Sequence, residues 1–470
     1  MRGTGTANGA SDLERVSRRR EQRAWNWYDW ANSAYYTTVL SVMFAPYLIT
    51  VAGRAAGCRD ASSSCARTVS VLGVHLAAGS LPFYLTSFAT ITSAFLLPVV
   101  GAFVDRSGHK KWHMAGFAWA GSLFAALLFL VRGDDWQLGA VAIVASSILG
   151  GCSLVSYYAI LVDISTEEER DGVSSRGWAW GYLGGGLLLA VNLVMFLGHS
   201  SLGLSQSLAV RLSLLSAAVW WAAFTTIPVL RLRDRAAHHV VSHDGGLFAR
   251  SFGQLFTTLR EMRGFPMTLT FLVAFLFYND GIQTVIGVAS TYGSKQLGFG
   301  QPVLIATILL IQFVAFGGAI LFGRLARRFG SYRPILWGTY AWMLIVVAAM
   351  FLPRHDVVLF LALGTAIAVV LGGTQALSRS FFSLLIPHGR EGEYFALYNA
   401  CERGTSWFGT FLFGLVFQVT GSYRPAIVAL VVFFVLGAVF LLRLEPQRGI
   451  REAGNRVPAV VERRTTVRGG

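Results

Sequence analysis

The sequence predicts an all-α membrane protein with twelve transmembrane helices arranged as two pseudo-symmetric six-helix bundles. The first observation behind this prediction is composition, because 54% of the 470 residues are apolar and only 13% are charged. The second is a series of apolar runs of roughly 20 residues, the length that crosses a bilayer. These runs are continuously apolar, whereas strands of a membrane barrel would alternate at every second residue. The third observation is an internal repeat.

The apolar runs justify the twelve spans in order along the chain. A polar stretch precedes the first run, which is too long for a cleavable signal peptide. Short polar or glycine- and proline-containing segments separate the later runs. The predicted spans are 27–52, 81–103, 113–132, 137–161, 177–198, 208–230, 265–290, 302–323, 335–352, 356–386, 399–419 and 425–443.

The internal repeat appears when the chain is aligned with itself at an offset of 222 residues. "GAFVDRSGHKK" from Gly101 then matches "GRLARRFGSYR" from Gly323, and "LGGCSLVS" from Leu149 matches "LGGTQALS" from Leu371. Two matches at one spacing predict a duplicated bundle. The predicted divisions are a tail (1–24), a first bundle (25–230), a connector (231–264), a second bundle (265–443) and a second tail (444–470).

The net charge of +15 follows the predicted topology. With the N-terminus in the cytoplasm, and with the span-end residues Arg132 and Arg443 counted in the adjoining segments, 29 of the 39 lysines and arginines lie in inner segments, 7 in outer loops and 3 within spans. This is the positive-inside distribution, so we predict cytoplasmic termini and no nucleic-acid binding. The first outer loop contains Cys58 and Cys65, which either form a disulfide or remain thiols.

The loop between the second and third spans carries a recognisable motif. "GAFVDRSGHKK" resembles the G-x-x-x-D-R-x-G-x-[RK]-[RK] loop of the major facilitator superfamily. A glycine permits close helix approach, an acid can face a helix N-terminus, and the basic residues favour the inner side. The second copy has Arg327 in place of the acid, so we expect the acid contact in the first half alone. The motif positions are Gly101, Asp105, Arg106, Gly108 and Lys111.

A narrower resemblance extends over nearly the whole chain. "WYDWANSAYYTT", "RGWAWGYLGGGL", "FYNDGIQTV" and "GGTQALSRSFFSLLIP" together resemble the fungal vacuolar amino-acid effluxers of autophagy and their bacterial relatives. This resemblance implies amino-acid export. We therefore expect a monomeric multi-pass protein of a bacterial cell membrane, with the lipid bilayer as its surroundings.

Asp280 is the strongest candidate for a functional acid, because ionisable groups inside a bilayer are costly. It lies about fifteen residues into the seventh span, near the membrane midplane. With Gln283, Thr284 and Gly287 it forms a stripe at i, i+3, i+4 and i+7. The superfamily resemblance implies that this stripe faces a central cavity. The alternative is a structural pair between Asp280 and Arg379.

Asp29 begins a similar stripe with Asn32 and Tyr36 in the first span. Because tryptophans surround Asp29, it lies close to the predicted inner end of that span. Two interpretations remain open for its carboxylate, a helix cap and a cavity group.

The tenth span places Gln375 and Arg379 on one face, and the repeat offset sets Tyr157 of the fourth span opposite them. A guanidinium in a cavity suits a carboxylate, either that of a substrate or that of Asp280. Glu402 and Arg403 are predicted near the inner end of the eleventh span, where they would brace an inner gate.

No enzyme motif accompanies these residues. None of the three lysines follows a glycine, which excludes a Walker loop, and the sequence predicts no metal or cofactor. We therefore predict a secondary transporter of a small solute, coupled to protons through Asp280 by alternating access. The alternative is a sensor or assembly factor derived from a transporter and lacking flux.

Overall fold

The computed structural model describes residues 4–58, 68–71, 73–235, 260–404 and 406–462. Over these ranges the chain is helical apart from one short hairpin, β1 (Thr68–Val71) with β2 (Val74–Ala77), paired antiparallel. The helices of the first part are α1 (Thr4–Tyr35), α2 (Phe44–Ala55), α3 (Leu81–Ser107), α4 (Lys110–Leu127), α5 (Trp136–Ile164), α6 (Arg170–Leu197) and α7 (Gln206–Arg231). Those of the second part are α8 (Pro266–Thr291), α9 (Gln301–Phe329), α10 (Tyr332–Met350), α11 (Val357–Leu384), α12 (Glu391–Gly404), α13 (Ser406–Thr420), α14 (Tyr423–Ala429), α15 (Val431–Leu442), α16 (Pro446–Glu452) and α17 (Ala459–Glu462).

The first helix is longer than its predicted span, which began at residue 27. A π-helical segment, Tyr36–Met43, joins α1 to α2 without a break. Hydropathy detects only the apolar part of a helix, whereas α1 extends beyond it as a polar helix. Contacts with other segments stabilise this extension: Gln22 Nε2 donates to Ile164 O at 3.0 Å, and Glu21 accepts from Arg235 at 2.8 Å.

Eleven helices in the described part of the chain are long and apolar enough to cross a membrane. They correspond to eleven of the twelve predicted spans. The remaining prediction, 399–419, falls on two shorter helices, α12 and α13, on either side of residue 405. This eleventh span stays a prediction.

Glycines bring the helices of the site into close contact. On α6, a Cβ at Gly184 would lie 2.8 Å from Trp30 O, and one at Gly181 would lie 2.5 Å from Ser33 Oγ. These glycines therefore pack α6 directly against α1. On α9, a Cβ at Gly323 would lie 2.7 Å from Ser175 Cβ, so α6 also packs against α9.

Two predicted features lie largely outside the described residues. The connector is described only at 231–235 and 260–264, and Cys65 is not described. Cys58, at the end of α2, is disulfide-bonded, which favours the disulfide interpretation of the first outer loop.

Candidate functional site

The turn between α3 and α4, residues 107–109, marks one end of the helix bundle, which we call the motif end. There, Asp105 accepts hydrogen bonds from the backbone amides of Gly392 at 2.7 Å and Glu393 at 3.0 Å. Both amides belong to the first turn of α12, where the orphan N–H groups and the helix dipole favour an anion. Asp105 thus faces a helix N-terminus. The approach is close, since a Cβ at Gly392 would lie 2.6 Å from Gly101 O.

The basic residues of the motif connect α3–α4 to neighbouring segments. Lys110 Nζ lies 3.0 Å from Asp163 at the end of α5 and 3.6 Å from Glu391 at the start of α12. Lys111 donates to Leu232 O at 2.9 Å. Gly108 ends α3 with φ of 66°, in the left-handed region that favours glycine. Arg106 is exposed.

A second group of charges lies just before α12. Arg390 contacts Glu393 at 2.6 Å and also pairs with Glu261, near the start of α8. Burial lowers the pKa of Arg390, but the two carboxylates outweigh this effect and leave the pKa above its usual range. Arg390 is therefore a permanent cation that ties the α12 turn to the α8 entry.

A buried ion pair joins α1 to α11. Arg379 Nη2 lies 3.1 Å from Asp29 Oδ2, and both residues are buried, at 1% and 6% exposed. Because α1 begins at Thr4, Asp29 is deep within the helix, so the cap interpretation is wrong. The carboxylate partner of Arg379 is therefore Asp29 and not Asp280.

The surroundings of this pair satisfy its remaining hydrogen bonds. Tyr157 Oη donates to Asp29 Oδ2 at 2.7 Å, and Arg379 donates to the hydroxyl and carbonyl oxygens of Ser174, both at 2.9 Å. The repeat offset predicted that Tyr157 lies opposite Arg379. The Tyr157 ring lies 5.5 Å from the Arg379 guanidinium, which confirms this prediction. Four aromatic rings enclose the guanidinium at 4.8 to 5.5 Å, an arrangement that stabilises a cation: Trp25, Tyr157, Tyr158 and Trp178.

Further hydrogen bonds run from α6 to α11 between this pair and the motif end. Ser174 Oγ donates to Ala376 O at 2.7 Å, and Ser380 Oγ donates to Asp171 at 2.6 Å. Arg170, which is 1% exposed, donates to Ser383 O at 2.9 Å. Together with Asp105 and the Asp29–Arg379 pair, these contacts close the bundle at the motif end.

Asp280 lies on α8 with its side chain turned toward α13. It is 1% exposed, and neither carboxyl oxygen has a hydrogen-bond partner among the described residues. The Gly409 amide faces the carboxyl, outside hydrogen-bonding geometry. Thr284, one turn further, packs on Gly409. The structural alternative, a pair of Asp280 with Arg379, is therefore wrong.

Gln375 and Glu402 belong to a polar layer near Asp280. Gln375 Nε2 donates to Asn279 Oδ1 at 2.9 Å, and Asn279 Nδ2 donates to Glu402 O at 3.0 Å. The sequence placed Glu402 near the inner end of its span, which is wrong because α12 begins at Glu391. Glu402 is eleven residues further on, about 16 Å deeper at 1.5 Å per residue. The side chain of Arg403 lies outside the described residues.

The other predicted pathway residues become more accessible with distance from the motif end. On α1, Asn32 is buried and its Oδ1 lacks a partner among the described residues, whereas Tyr36 is half-buried. On α8, Asp280 is buried and Gln283 is half-buried. The ranges that the structure describes contain no cluster of three or more histidine, cysteine or acidic side chains suited to a metal.

Three residues of the site escaped the sequence analysis. Gly177 has no side chain, and a Cβ there would overlap Asp29 Oδ2 and lie 3.0 Å from Arg379 Nη2. Ser174 and Asp163 gave no signal of their own, because only helix rotation brings them to Arg379 and Lys110. For Gly177, the available signal was a glycine one helix turn before Gly181.

The fold is that of the major facilitator superfamily of transporters. The structure matches the proton:xylose symporter XylE bound to 6-bromo-6-deoxy-D-glucose with a TM-score of 0.68 at 12% identity, covering 92% of this chain and 96% of that one. It matches the transporter FucP in the outward conformation with a TM-score of 0.63 at 14% identity, covering 91% and 98%.

The chain belongs to the family described as vacuole effluxer Atg22 like, whose model matches residues 17–454. It is 30% identical to the uncharacterized MFS-type transporter YxiO of Bacillus subtilis over 90% of this chain and 94% of that protein. It is 25% identical to autophagy-related protein 22-1 of Phaeosphaeria nodorum, over 82% and 79%. These homologues are not enzymes, and they support a secondary transporter in a membrane.

Proposed function

We propose that the chain exports an amino acid or a similar small metabolite by proton-coupled alternating access. The observation that carries this proposal is the buried pair of Asp29 and Arg379 across α1 and α11. A zwitterion has the same two charges in one small molecule. Its carboxylate matches the Arg379 guanidinium, and its ammonium matches the Asp29 carboxylate within the aromatic enclosure.

Alternating access requires that contacts at one end of the bundle break when the other end closes. The contacts at the motif end have this character, because Asp105, Asp171 and Arg170 all bind helices of the other predicted bundle. Opening at this end would separate Asp29 from Arg379. A solute bound between them would satisfy both charges during that change.

Asp280 is the proposed proton carrier. An ionised carboxylate that is buried without a partner is strongly disfavoured. Asp280 has no hydrogen-bond partner in the described part of the chain, so a proton on it stabilises the conformation with the motif end closed. Hydration of this position in the other conformation would release the proton. We place both termini on the cytoplasmic side, following the distribution of the lysines and arginines. We treat the chain as a working monomer.

The proposal is tested by a stabilisation screen followed by a flux assay. Purified full-length chain is heated with each of the common amino acids, because a ligand that binds the native state raises the melting temperature. Positive compounds are then followed into proteoliposomes under an imposed pH gradient. We expect at least one zwitterionic amino acid to stabilise the protein and to accumulate.

The matched controls are the corresponding amine without a carboxylate and the corresponding acid without an ammonium. Neither should stabilise the protein or accumulate, because each leaves one member of the Asp29–Arg379 pair unsatisfied. If the two controls bind as well as the zwitterion, the amino-acid assignment is wrong. If compounds bind without flux above that of empty liposomes, the sensor alternative is correct.

A further inference from the structure

Four arginines from three helices meet at the motif end with little opposing charge. Arg19 and Arg23 lie on α1, Arg176 on α6 and Arg327 on α9, and all four side chains are exposed. The charges of Arg19, Arg23 and Arg327 all act on Arg176. None of the four forms an ion pair with a residue that the structure describes.

Helix packing fixes this arrangement, which we call the arginine cluster. Gly323 of α9 contacts Ser175 of α6. Ser175 immediately precedes Arg176, and Gly323 lies one turn before Arg327. A Cβ at Gly177 would lie 2.9 Å from the Trp25 ring, two positions after Arg23. The acid that acts most strongly on Arg176 is Glu169.

Glu169 is already engaged by other groups. Its carboxylate lies 3.3 Å from Arg18 Nε and accepts from Gln22 Nε2 at 2.9 Å. It therefore offsets only part of the positive charge of the arginine cluster. Bringing together α1, α6 and α9 leaves repulsion between like charges, which a bound anion would relieve.

Tryptophans lie directly beneath the arginine cluster on the membrane side. Trp27 is one turn after Arg23, and Trp180 is one turn after Arg176, so each pair shares a helix face. The Trp27 and Trp180 rings are 5.4 Å apart, and Trp180 is 38% exposed. Tryptophan at the level of lipid headgroups, with arginine outside it, is typical of a membrane interface.

Exposed apolar side chains continue from these tryptophans along α6 and also lie on α9, which packs against α6. On α6 the exposed positions Leu187, Val191 and Val194 follow Trp180 along one face. On α9 the exposed positions are Phe313 and Leu321, and a Cβ at Gly317 between them would meet nothing within 4 Å. Both helices thus present apolar positions that an acyl chain can contact.

From these features we infer a specific site for an anionic phospholipid. Its phosphate binds the arginine cluster as a charge-assisted hydrogen-bond acceptor, its glycerol region lies against Trp180, and an acyl chain contacts the exposed apolar positions of α6 and α9. Since Arg327 belongs to the second predicted bundle and the other arginines to the first, the lipid links the two in the conformation with the motif end closed.

The test measures melting temperature while lipid is titrated into purified full-length protein in neutral detergent. The probe is dioleoylphosphatidylglycerol, and the comparison is dioleoylphosphatidylcholine, which has the same chains without net charge. Inorganic phosphate and glycerol 3-phosphate test for a soluble anion. We expect only phosphatidylglycerol to raise the melting temperature. The double variant Arg176→Gln with Arg327→Gln should raise the half-saturating concentration of this lipid by roughly tenfold or more.

The matched control is Arg132→Gln with Arg354→Gln, two exposed arginines that follow α4 and α10 at the end of the bundle opposite the motif end. It loses the same charge and should respond to lipid as the unmodified protein does. An equal response of the two double variants would overturn the proposal. So would an equal shift with inorganic phosphate, because the ligand would then be a soluble anion.

A second measurement does not depend on arginine variants. Phosphatidylglycerol with brominated acyl chains, added at low stoichiometry, quenches tryptophans next to the bound chain. Trp180→Phe should remove a clear part of this quenching, whereas Trp119→Phe, at an equally exposed position on α4, should not. Equal quenching in both variants would contradict the placement of the acyl chain.

Discussion

Arg379 of α11 and Asp29 of α1, 350 positions apart in the chain, form a buried ion pair at 3.1 Å. Breaking such a pair by removing one charge is strongly destabilising, because the remaining charge is buried without compensation. The pair also lies at the boundary between the closed motif end and the more accessible positions Tyr36 and Gln283. It is therefore both a structural contact and the proposed recognition site.

Gly177→Ala should disrupt this pair without changing any charge. The new methyl group would overlap Asp29 Oδ2 in a closely packed site, and such overpacking typically costs about 1–3 kcal/mol. We expect a lower melting temperature and reduced flux. The control is Gly116→Ala on α4, where a Cβ meets nothing within 4 Å. Equal stability of the two variants would contradict the geometry.

Asp29→Asn should destabilise the protein by about 3–5 kcal/mol, since it leaves the Arg379 cation buried without a carboxylate. Adding Arg379→Gln removes that cation and should restore most of the melting temperature. The double variant should nevertheless fail to bind the solute. An Asp29→Asn protein as stable as the unmodified chain would show that the aromatic rings alone satisfy Arg379.

Asp105→Asn should favour opening at the motif end. The substitution replaces one of the two carboxyl oxygens that accept backbone hydrogen bonds with an amide nitrogen, and a buried donor left unsatisfied costs about 1–3 kcal/mol. The readout is maleimide labelling of a cysteine placed at the buried Ser383, which should increase. Asp356→Asn is the control, because Asp356 caps α11 through Leu359 and asparagine caps as well. Equal labelling in both variants would show that Asp105 does not hold the motif end closed.

Hydrophobic runs and a repeat predicted much of this architecture from the sequence, because a bilayer imposes a length and a periodicity on every span. The hydrophobic runs misplaced the ends of helices that continue outside the apolar region. Residues 4–26 extend α1 as a polar helix, and the start of α12 at Glu391 moved Glu402 deeper than predicted.

The pairing of charges was less accessible to sequence reasoning. The sequence identified three ionisable candidates because such groups are costly inside a bilayer and usually mark a functional or paired site: Asp29, Asp280 and Arg379. Which acid meets the arginine depends on the rotation of α1, α8 and α11 about their axes, and a rotation of half a turn reverses the answer. The repeat helped only where it relates positions directly, as it did for Tyr157 and Arg379.

The role of Asp280 is tested most directly by Asp280→Asn in proteoliposomes loaded with the identified solute. Because the Asp280 carboxyl has no hydrogen-bond partner among the residues that the structure describes, the variant should fold and bind the solute normally. It should lose accumulation driven by a pH gradient while retaining exchange of solute across the membrane, since exchange does not require release of the proton. Gradient-driven accumulation equal to that of the unmodified protein would contradict proton coupling through Asp280.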